Sequence, residues 1–468
     1  MTYVRSKSRY ELGKMYHVVA VYDGTTMQLI VNGKIEGQSK VQSGKILYPK
    51  DAPFTIGSYK DSNEDFRHVG RIADVAIYDL AAKPEWAAKE YAHYKAITEL
   101  PPEGVKPVEL GFSIKPYLQY VTRDSITVMW ETTTATTGVV QHGSDAKVAA
   151  TIKSERGFIH EVKISGLEPE TQYFYQVSST DSVGGTIQAD LRTFQTANKS
   201  ETPFAFAIIS DTQGNPKVAG KIAGHAWAHR PNFLLHPGDL VSTGTNDSHW
   251  KDHFFASMEP LISRVAFFPV LGNHEQNADN YYNYMSLPDP EYYYSFEYGN
   301  AQFFMIDTNK NVGPETEQYK WLDKALAASK AKWKIVCHHH PPYSSDENDY
   351  GDLWKSNRST RGHLPVRRLT KLYDKHKVDI VWSGHIHSYE RTWQIRGDKV
   401  VEEGQGVQYM ITGGGGGSLE TAGPFKPGFQ NNVRHGHHYC MVAINGGTLE
   451  FKAFDLEDRL FDYFKLSK

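Results

Sequence analysis

The sequence GHIH at residues 384–387 directly follows VDIVWS at residues 378–383. The apolar run is typical of a short buried strand. If His385 and His387 lie on a turn that leaves the strand, both imidazoles face one cavity and each can bind a metal ion. A single His-x-His pair is weak evidence, because most such pairs are surface residues or hydrogen-bonded core residues. His385 and His387 alone therefore do not indicate a metal site unless other parts of the chain supply further candidate ligands.

Four stretches upstream have a similar pattern, in which an apolar strand ends in residues that bind metals, often beside glycine. The strands predicted at residues 204–209, 232–235, 266–271 and 333–336 are followed by SDTQ, PGD, GNHE and CHHHPPY. Functional residues of α/β sheets collect outside the carboxyl ends of the strands. We therefore expect the candidates at these ends to lie together, namely Asp211, Asp239, Asn273, His274 and the three histidines at 338–340.

The residue types at these strand ends suit one kind of metal site. Carboxylates, an amide oxygen and imidazoles form the mixed ligand set of Zn²⁺, Mn²⁺, Fe or Co²⁺. A carboxylate such as Asp239 can bridge two ions about 3.5–4 Å apart, the spacing of two-metal phosphoryl-transfer sites. A lone aspartate at a strand end is more often a helix or turn cap. Five strand ends of this kind in one domain are hard to explain as caps.

The pattern of strands and helices changes along the chain. Residues 1 to about 80 and 109 to about 197 alternate apolar and polar in short bursts, which predicts antiparallel sandwiches. Between them, LPPEGVKP at residues 100–107 is typical of a semi-rigid linker. From about residue 203, strands alternate with helices predicted at 216–229, 247–262, 316–329 and 365–376, as in an α/β domain.

A glycine run at residues 413–417 follows the strand predicted at 408–412. It could bring backbone close to the metal-binding candidates, but a tight turn after the strand is the favoured interpretation.

The composition makes some function classes improbable. The formal net charge is -3 over 468 residues, so no global basic surface favours nucleic acid as a partner. The chain has no run of about 18 apolar residues, so the sequence predicts no membrane-spanning helix. The N-terminal MTYVRSK lacks the apolar core of a signal peptide. The two cysteines, Cys337 and Cys440, imply no disulfide framework.

The order Asp, Gly-Asp, Gly-Asn-His-Glu, His-x-Pro, Gly-His-x-His resembles the calcineurin-like metallophosphoesterase family. The sequences HHPPYSS and KLYDKHKVDIVWSGHIHSYERTW, preceded by KPYLQYVTRDSITVMWET, narrow the resemblance to relatives of purple acid phosphatase. LEPETQY at residues 167–173 is similar to a fibronectin type III corner, in which Tyr173 plugs the sandwich. YHVVAVYDGTTMQLIVNGK, FTIGS and GRIADVAIYDLA resemble the second half of a LamG-type jelly roll, so we expect the chain to begin inside a domain.

These resemblances imply a multidomain fold. The expected segments are a partial LamG- or concanavalin-like β-sandwich (1–96), a Pro-rich linker (97–108), a fibronectin III-like β-sandwich corresponding to the purple acid phosphatase N-terminal domain (109–198), and an α/β metallophosphoesterase domain in which a β-sandwich is flanked by helices (203–465).

The resemblance also implies two metal sites. Site one would use Asp211, Asp239 and His387, and site two would use Asp239, Asn273, His339 and His385. His339 is chosen within the histidine run because the family's ligand stands two residues before the first proline. His274 would contact the phosphate and assist the leaving group. His340, Arg361 and His363 are further candidate substrate contacts.

The implied function is that of an enzyme, a binuclear metal-dependent phosphatase. It would hydrolyse phosphate monoesters by in-line attack of a metal-bound hydroxide. One alternative is a phosphodiesterase or nucleotidase with the same metals. Another is a carbohydrate-binding adhesin whose phosphatase-like domain is an inactive scaffold, since the LamG resemblance makes carbohydrate a candidate partner. The family resemblance further implies a secreted or periplasmic protein.

Two departures from the family bear on the identity of the metals. Purple acid phosphatases carry a tyrosine three residues after the Gly-Asp aspartate, and its phenolate binds Fe³⁺ and gives the colour. Ser242 stands at that position here. Gln213 stands two residues after Asp211, where many members of the broader family have a histidine ligand, and a neutral amide would add weak coordination or a hydrogen bond. The expected cofactors are two divalent ions (Zn, Mn or Fe).

Overall fold

The computed structural model of the chain describes residues 4–8, 10, 14–46, 58–60, 65–67, 72, 75–98, 109–346, 359–423 and 426–468. The chain divides into two compact units, Met1–Pro107 and Val108–Lys468. Within the described ranges, no helix is long and apolar enough to cross a membrane.

The first unit contains a small antiparallel meander. Its strands are β1 (Val18–Tyr22), β2 (Met27–Val31) and β3 (Lys34–Ser39), followed by the pair β4 (Ser58–Lys60) and β5 (Asp65–Arg67) and by helix α1 (Pro84–Thr98). Asn32 and Gly33 connect β2 to β3 with φ values of 49° and 75°, as the tight hairpin turn requires. Most of FTIGS, a third of GRIADVAIYDLA and the proline-rich connector lie outside the described residues.

The second unit begins with a β-sandwich. Its strands are β6 (Phe112–Gln119), β7 (Ser125–Gly143), β8 (Ala150–Ser165), β9 (Gln172–Thr180), β10 (Thr186–Gln188) and β11 (Arg192–Gln195). The sequence predicts two strands where the structure has the single strand β7, which pairs with β6 in its first half and with β9 in its second. Glu168 N donates to Tyr173 Oη at 2.9 Å, which is the hydrogen bond of a tyrosine corner.

The α/β part of the second unit follows. Its strands are β12 (Phe204–Ile208), β13 (Phe233–His236), β14 (Ala266–Pro269), β15 (Tyr294–Tyr298), β16 (Ala301–Ile306), β17 (Trp333–His338), β18 (Ile380–Ser383), β19 (Tyr389–Thr392), β20 (Ile395–Arg396), β21 (Lys399–Val400), β22 (Gln408–Thr412), β23 (Gln430–Arg434), β24 (His438–Asn445), β25 (Thr448–Asp455) and β26 (Leu460–Ser467). Its helices are α2 (Pro216–Ala228), a π-helix (His249–Phe255), α3 (Ala256–Ile262), α4 (Asp279–Tyr284), α5 (Glu317–Ala328), α6 (Leu364–Arg367) and α7 (Thr370–His376).

Two of the helices differ from the sequence prediction. The segment predicted as one helix at 247–262 is the π-helix running into α3. Pro260 lies inside α3 and, lacking an N–H, cannot donate to the carbonyl of Ala256. The helix predicted at 365–376 is broken into α6 and α7 around Arg368 and Leu369.

Two sheets face each other in the α/β part, and helices cover their outer faces. The first sheet runs β14-β13-β12-β24-β25-β26, and the second runs β15-β16-β17-β18-β22-β19-β23. The core between them is rich in aromatic side chains, including Phe206, Phe233, Phe268, Phe296, Phe303 and Trp382. The outer face of the first sheet packs on α2, the π-helix and α3, and that of the second packs on α5 and α7. This arrangement buries one face of every layer.

The parallel strands of the two sheets set the position of the site. Strands β12, β13 and β14 are parallel neighbours in the first sheet, and β16, β17, β18 and β22 are parallel neighbours in the second. The loops that leave their carboxyl ends carry the candidate ligands.

The sandwich and the α/β part are joined by hydrogen-bonded strands. Strand β6 of the sandwich pairs with β14 through Gln119 and Phe267, which makes the first sheet continuous with the sandwich. The buried Tyr117 hydroxyl donates to Tyr284 O at 2.8 Å across the same junction.

Candidate metal centre

The loop after β12 presents Asp211 in a constrained conformation. Asp211 is buried and has a φ of 58°. Its Oδ2 accepts a hydrogen bond from Ser210 Oγ at 2.5 Å, and its Oδ1 accepts one from His385 N at 2.9 Å. A positive φ in a non-glycine residue costs about 1–3 kcal/mol and is concentrated at functional sites. The conformation fixes the direction of this carboxylate.

The loop after β13 holds Asp239 in a similar way. Asp239 is buried with a φ of 55° and follows Gly238, where an added Cβ would lie 2.7 Å from His339 Nδ1. Its Oδ1 accepts a hydrogen bond from His274 N at 2.9 Å. Glycine at position 238 therefore lets the loop approach the imidazole of His339.

Glu275, the acidic residue of GNHE, anchors this loop in a role that the sequence did not predict. Its buried carboxylate accepts hydrogen bonds from the N–H groups of Asp239 at 2.9 Å, Leu240 at 2.7 Å and Gly272 at 2.6 Å. Burial and the nearby Asp239 charge raise the pKa of Glu275 to about 8. The sequence shows only an acidic residue directly after a candidate catalytic histidine, and that pattern does not by itself predict the role.

The first group of ligand atoms matches site one. The ligand atoms of Asp211, Asp239 and His387 all lie within 4.8 Å of one another. His387 Nε2 is 3.5 Å from Asp211 Oδ1. His387 Nδ1 is 2.7 Å from Ser418 O and donates to it, so in the neutral, metal-binding form of the ring the lone pair of Nε2 would face the two aspartates.

The second group contains His339, His340 and His385, of which His339 and His385 were expected at site two. Asn273 Oδ1 lies 3.0 Å from both His339 Nε2 and His385 Nδ1. His339 Nε2 is also 3.3 Å from Asp239 Oδ2, while its Nδ1 donates to Pro237 O at 2.9 Å. The hydrogen bond to Pro237 O leaves Nε2 as the ligand atom. Asp239, a member of the first group, thus also contacts His339 of the second.

His340 lies in the second group as well, because its ligand atom is within 4.8 Å of those of His339 and His385. Its Nδ1 is 2.9 Å from Thr308 Oγ1, and its ring stacks on His363 at 4.7 Å. The backbone carbonyl of Arg361 accepts a hydrogen bond from Ser344 N at 3.1 Å. The structure therefore brings His340 and His363 to the edge of site two, and it positions Arg361 in the adjoining loop.

The charges of the aspartates determine how the histidines titrate. Burial lowers the pKa of His387, but the hydrogen bond and charge of Asp211 outweigh it and raise the pKa to about 9. In the same way, burial opposes ionisation of His339 and Asp239, yet their mutual attraction raises the pKa of the histidine and lowers that of the aspartate. Each site attracts positive charge, and a metal ion would compete with protons for these ligands.

His274 stands at the open side of the pair of sites. Its Nδ1 is 2.8 Å from Ser242 O, which assigns the hydrogen to Nδ1. Its Nε2 is 4.0 Å from Asp239 Oδ2, and the side chain is 40% exposed. In this position Nε2 can meet a ligand that approaches from solvent.

The glycine run comes close to the site, against the favoured sequence interpretation of a simple turn. Gly415 N donates to Ser210 O at 2.9 Å, and Gly417 N donates to Asp211 O at 3.0 Å. An added Cβ would lie 2.3 Å from Ser210 O at Gly415 and 2.5 Å from His387 Cε1 at Gly417. The glycines let this backbone pack directly on the two ligand loops.

Comparison with known proteins agrees with this architecture. Residues 204–389 match the calcineurin-like phosphoesterase family, residues 113–196 match the purple acid phosphatase N-terminal domain, and residues 1–88 match the concanavalin A-like lectin/glucanases superfamily. These matches confirm the resemblances to the calcineurin-like phosphoesterases, to the purple acid phosphatase N-terminal domain and to a LamG- or concanavalin-like module.

Relatives in Arabidopsis thaliana share a moderate identity with the chain. Purple acid phosphatase 22 is 29% identical over 282 residues, which cover 56% of this chain and 60% of that protein. Probable inactive purple acid phosphatase 27 is 24% identical over 358 residues, covering 66% of this chain and 56% of that protein. The chain thus spans little more than half the length of these curated relatives.

Solved structures show the fold. The purple acid phosphatase PPD1 from yellow lupin seeds superposes with a TM-score of 0.67 at 21% identity, covering 75% of this chain and 74% of its own. PhoD superposes with a TM-score of 0.56 at 14% identity, covering 79% of this chain and 92% of its own.

Proposed function

We propose that this chain, which carries a calcineurin-like phosphoesterase domain behind a purple acid phosphatase N-terminal domain, is a binuclear metal-dependent phosphatase acting on phosphate monoesters. The observation that carries the proposal is the position of Asp239, which belongs to the first ligand group while its Oδ2 lies 3.3 Å from His339 Nε2 of the second group. A carboxylate shared between two sets of donors is what a two-metal site requires. We assign Asp211, Asp239 and His387 to site one, and Asp239, Asn273, His339 and His385 to site two.

The donor set fits divalent ions. It combines carboxylate, amide and imidazole atoms, and hydrogen bonds to Pro237 O and Ser418 O orient the imidazoles of His339 and His387. Two bound divalent ions would neutralise phosphate oxygens and lower the pKa of a bound water.

We assign His274 to the phosphate and the leaving group. Its Nδ1–H is tied to Ser242 O, so the ring cannot rotate without losing that bond. In the doubly protonated form, Nε2 can donate to an oxygen on which negative charge develops. His340 and His363 would line the side of site two along which the remainder of the substrate lies.

The proposal is tested with a pair of chromogenic esters. Turnover of p-nitrophenyl phosphate should exceed turnover of bis-p-nitrophenyl phosphate, and added Mn²⁺ or Zn²⁺ should restore activity after chelation. A preference for the diester would support the phosphodiesterase alternative. No turnover of either ester by protein with two bound ions would refute the enzyme proposal.

The inactive-scaffold alternative draws on a specific finding, since some relatives are named probable inactive purple acid phosphatases. The intact donor set of this chain favours the enzyme.

The N-terminal match to a lectin superfamily supports carbohydrate as a partner of residues 1–96. A glycan array with the full chain tests this, and absence of binding would remove carbohydrate from the proposed partners.

For location, we propose secretion or a periplasmic site, based on the purple acid phosphatase resemblance. Cell fractionation of the native organism is the measurement, and recovery of the protein in the cytoplasmic fraction would contradict the proposal.

A further inference from the structure

Thr308 and His340 occupy matching positions after two neighbouring strands. The parallel strands β16 and β17 pair Ile306 with His338, and Thr308 and His340 each lie two positions further along the chain. Both side chains are buried, with exposed fractions of 4% for Thr308 and 9% for His340. The register of the two strands therefore places a threonine hydroxyl beside a histidine ring at the edge of site two.

The hydroxyl of Thr308 contacts His340 twice. Thr308 Oγ1 accepts a hydrogen bond from His340 N at 3.1 Å and lies 2.9 Å from His340 Nδ1. Because a backbone N–H can only donate, the first contact uses a lone pair of Oγ1 and leaves the hydroxyl hydrogen available. Within the part of the chain that the structure describes, Nδ1 is the acceptor that this hydrogen can reach. The buried hydroxyl therefore donates to Nδ1, and the imidazole carries its own hydrogen on Nε2.

Three other histidines of the site are held in the opposite way. Nδ1 of His339, His387 and His274 lies against a backbone carbonyl oxygen, at 2.9, 2.7 and 2.8 Å respectively. A carbonyl oxygen only accepts, so each of these Nδ1 atoms carries a hydrogen, and in the neutral ring the lone pair is on Nε2. In His340 the hydroxyl of Thr308 reverses this assignment, and Nε2 has no lone pair to give to a metal ion.

Neighbouring rings fix the plane of the His340 imidazole. It stacks on His363 with 4.7 Å between the ring centroids and 26° between the planes, and its centroid lies 4.5 Å from that of His385. One of its nitrogens lies within 4.8 Å of the ligand atoms of His339 and His385. Since Nδ1 is occupied by Thr308, Nε2 is the atom that a molecule bound at site two can meet.

We propose that Thr308 is a positioning residue, which holds His340 as a neutral Nε2–H donor to a phosphate oxygen of the substrate at site two and prevents it from being a metal ligand. This inference rests on the proposed function, and it goes beyond it by separating the role of His340 from that of His339 and His385. A neutral donor stabilises the anionic phosphate without adding a positive charge that would repel the two ions.

Paired substitutions of Thr308 test the positioning role. Thr308→Val removes the hydroxyl at nearly constant volume, whereas Thr308→Ser retains it. With Mn²⁺ or Zn²⁺ bound, we expect Thr308→Val to lower kcat/KM on p-nitrophenyl phosphate by about 10-fold or more, the scale of a hydrogen bond to a charged group. Inhibition by inorganic phosphate should weaken to a similar extent. Thr308→Ser should stay within a few-fold of the wild type, and equal kinetics for the two variants would overturn the proposal.

Substitutions of His340 distinguish a hydrogen-bond donor from a metal ligand. His340→Leu has no donor, whereas the amide NH₂ of His340→Gln can donate from near the position of Nε2. We expect both variants to keep two ions and His340→Leu to lose more activity than His340→Gln. His339→Leu, at a proposed ligand, is the reference variant and should lose one ion. Loss of an ion from His340→Leu would make His340 a ligand and overturn the proposal.

The matched control is a second threonine–histidine pair, in the β-sandwich. Thr136 is fully buried, and its Oγ1 lies 2.9 Å from His160 Nε2, outside both ligand groups. Thr136→Val therefore removes a comparable hydroxyl and should leave kcat/KM unchanged, while melting curves verify that all variants fold. A loss of activity equal to that of Thr308→Val would assign the effect to stability and overturn the proposal.

The position of the ring hydrogen can be measured without turnover. Two-bond ¹H–¹⁵N correlation spectra of histidine-labelled protein distinguish the two neutral forms of imidazole, and the His340 signal is the one absent from His340→Gln. We expect the hydrogen on Nε2, and a hydrogen on Nδ1 would overturn the proposal even in an active enzyme. Wild-type protein with two ions and no turnover would refute the proposed function alone, because these spectra and the binding of inorganic phosphate then decide the role of Thr308.

Discussion

At the scale of single residues, the candidate site is made of side chains on strained backbone. Asp211, Asp239 and His385 have φ values of 58°, 55° and 70°. None is glycine, and each position costs conformational energy that the surrounding hydrogen bonds must offset. Buried acceptors such as Glu275 supply those bonds. The strain is therefore part of how the ligands are aimed.

His274 is the residue whose removal should affect chemistry and leave the metals in place. We expect His274→Ala to lower kcat on phosphate esters by about 10²-fold or more, the scale of general acid–base terms. Both ions should stay bound, because the side chain of His274 lies 4.0 Å from Asp239 Oδ2 and outside both ligand groups. Steady-state kinetics and metal analysis check this, with His142→Ala in the sandwich as the control. Loss of one ion would make His274 a ligand.

Ser242 determines the expected colour. It stands where purple acid phosphatases have the tyrosine that binds Fe³⁺, and a serine hydroxyl gives no low-energy charge-transfer band. We expect the isolated protein to be colourless or faintly coloured by iron, and active with divalent ions alone. Visible spectroscopy with elemental analysis is the measurement. A strong purple band at stoichiometric iron would mean that another tyrosine reaches the metal.

The sequence contained enough to predict which candidate ligands lie close together and too little to predict what orients them. Asp211, Asp239 and His339 follow strongly apolar strands, and the carboxyl ends of such strands meet at one edge. The anchoring role of Glu275 depends on three backbone N–H groups from two loops, and no local pattern specifies that. No local pattern predicts the contacts of Gln213 either, because its two hydrogen-bond partners, Asp239 and His387, are distant in the sequence.

At the scale of elements, the glycine run is a packing surface for the ligand loops. We expect Gly415→Ala to destabilise the protein by about 1–3 kcal/mol, the usual cost of overpacking, because the new Cβ would lie 2.3 Å from Ser210 O. Displacement of Ser210 should also reduce metal occupancy next to Asp211. Denaturant unfolding and metal analysis measure both effects.

Gly428→Ala is the matched control for that substitution, since an added Cβ at Gly428 meets no atom within 4 Å. If Gly415→Ala proves as stable and as metal-rich as Gly428→Ala, the glycine run is only a turn and the close packing has no energetic role.

The sandwich contains a histidine that should make it sensitive to acid. His160 stacks on Trp130 at 4.7 Å and lies 2.9 Å from Thr136 Oγ1 and 2.6 Å from Ser154 Oγ. Burial lowers the pKa of His160 from 6.5 to about 4. The unfolded chain therefore binds this proton first, and stability should be lost as the pH falls from about 6.5 to 4.

His160→Gln isolates that contribution. The glutamine does not titrate, so the melting temperature of the variant should fall less steeply than that of the wild type over the same pH interval. Thermal melts at several pH values provide the comparison. Equal slopes would show that His160 is protonated in the folded state as readily as in the unfolded state.

Strands with a clear pattern of apolar residues were predicted well. Strands and helices whose bounds depend on tertiary contacts were not. The strand predicted at 408–412 matches β22 residue for residue. The two strands predicted within 125–143 are the single strand β7, because its partners change from β6 to β9 along its length. The π-helix at His249–Phe255 has no local signal apart from Pro260 in the helix that follows.

At the scale of the whole molecule, the N-terminal unit should be dispensable for chemistry. The compact unit Met1–Pro107 is separate from Val108–Lys468, which contains both groups of ligands. We expect deletion of residues 1–96 to leave kcat/KM on small phosphate esters within a few-fold of the full chain. Kinetics on p-nitrophenyl phosphate measure this. A large loss would show that the N-terminal unit contributes to the catalytic face.

The pairing of β6 with β14 has a consequence for how this protein could have been assembled. The family boundaries place a border between residues 196 and 204, yet the first sheet crosses that border through Gln119 and Phe267. A gene fragment cut at the border would leave an open strand edge on each product, and such edges recruit other chains. We therefore expect the sandwich and the phosphoesterase domain to remain soluble when produced together and to aggregate when produced as separate fragments.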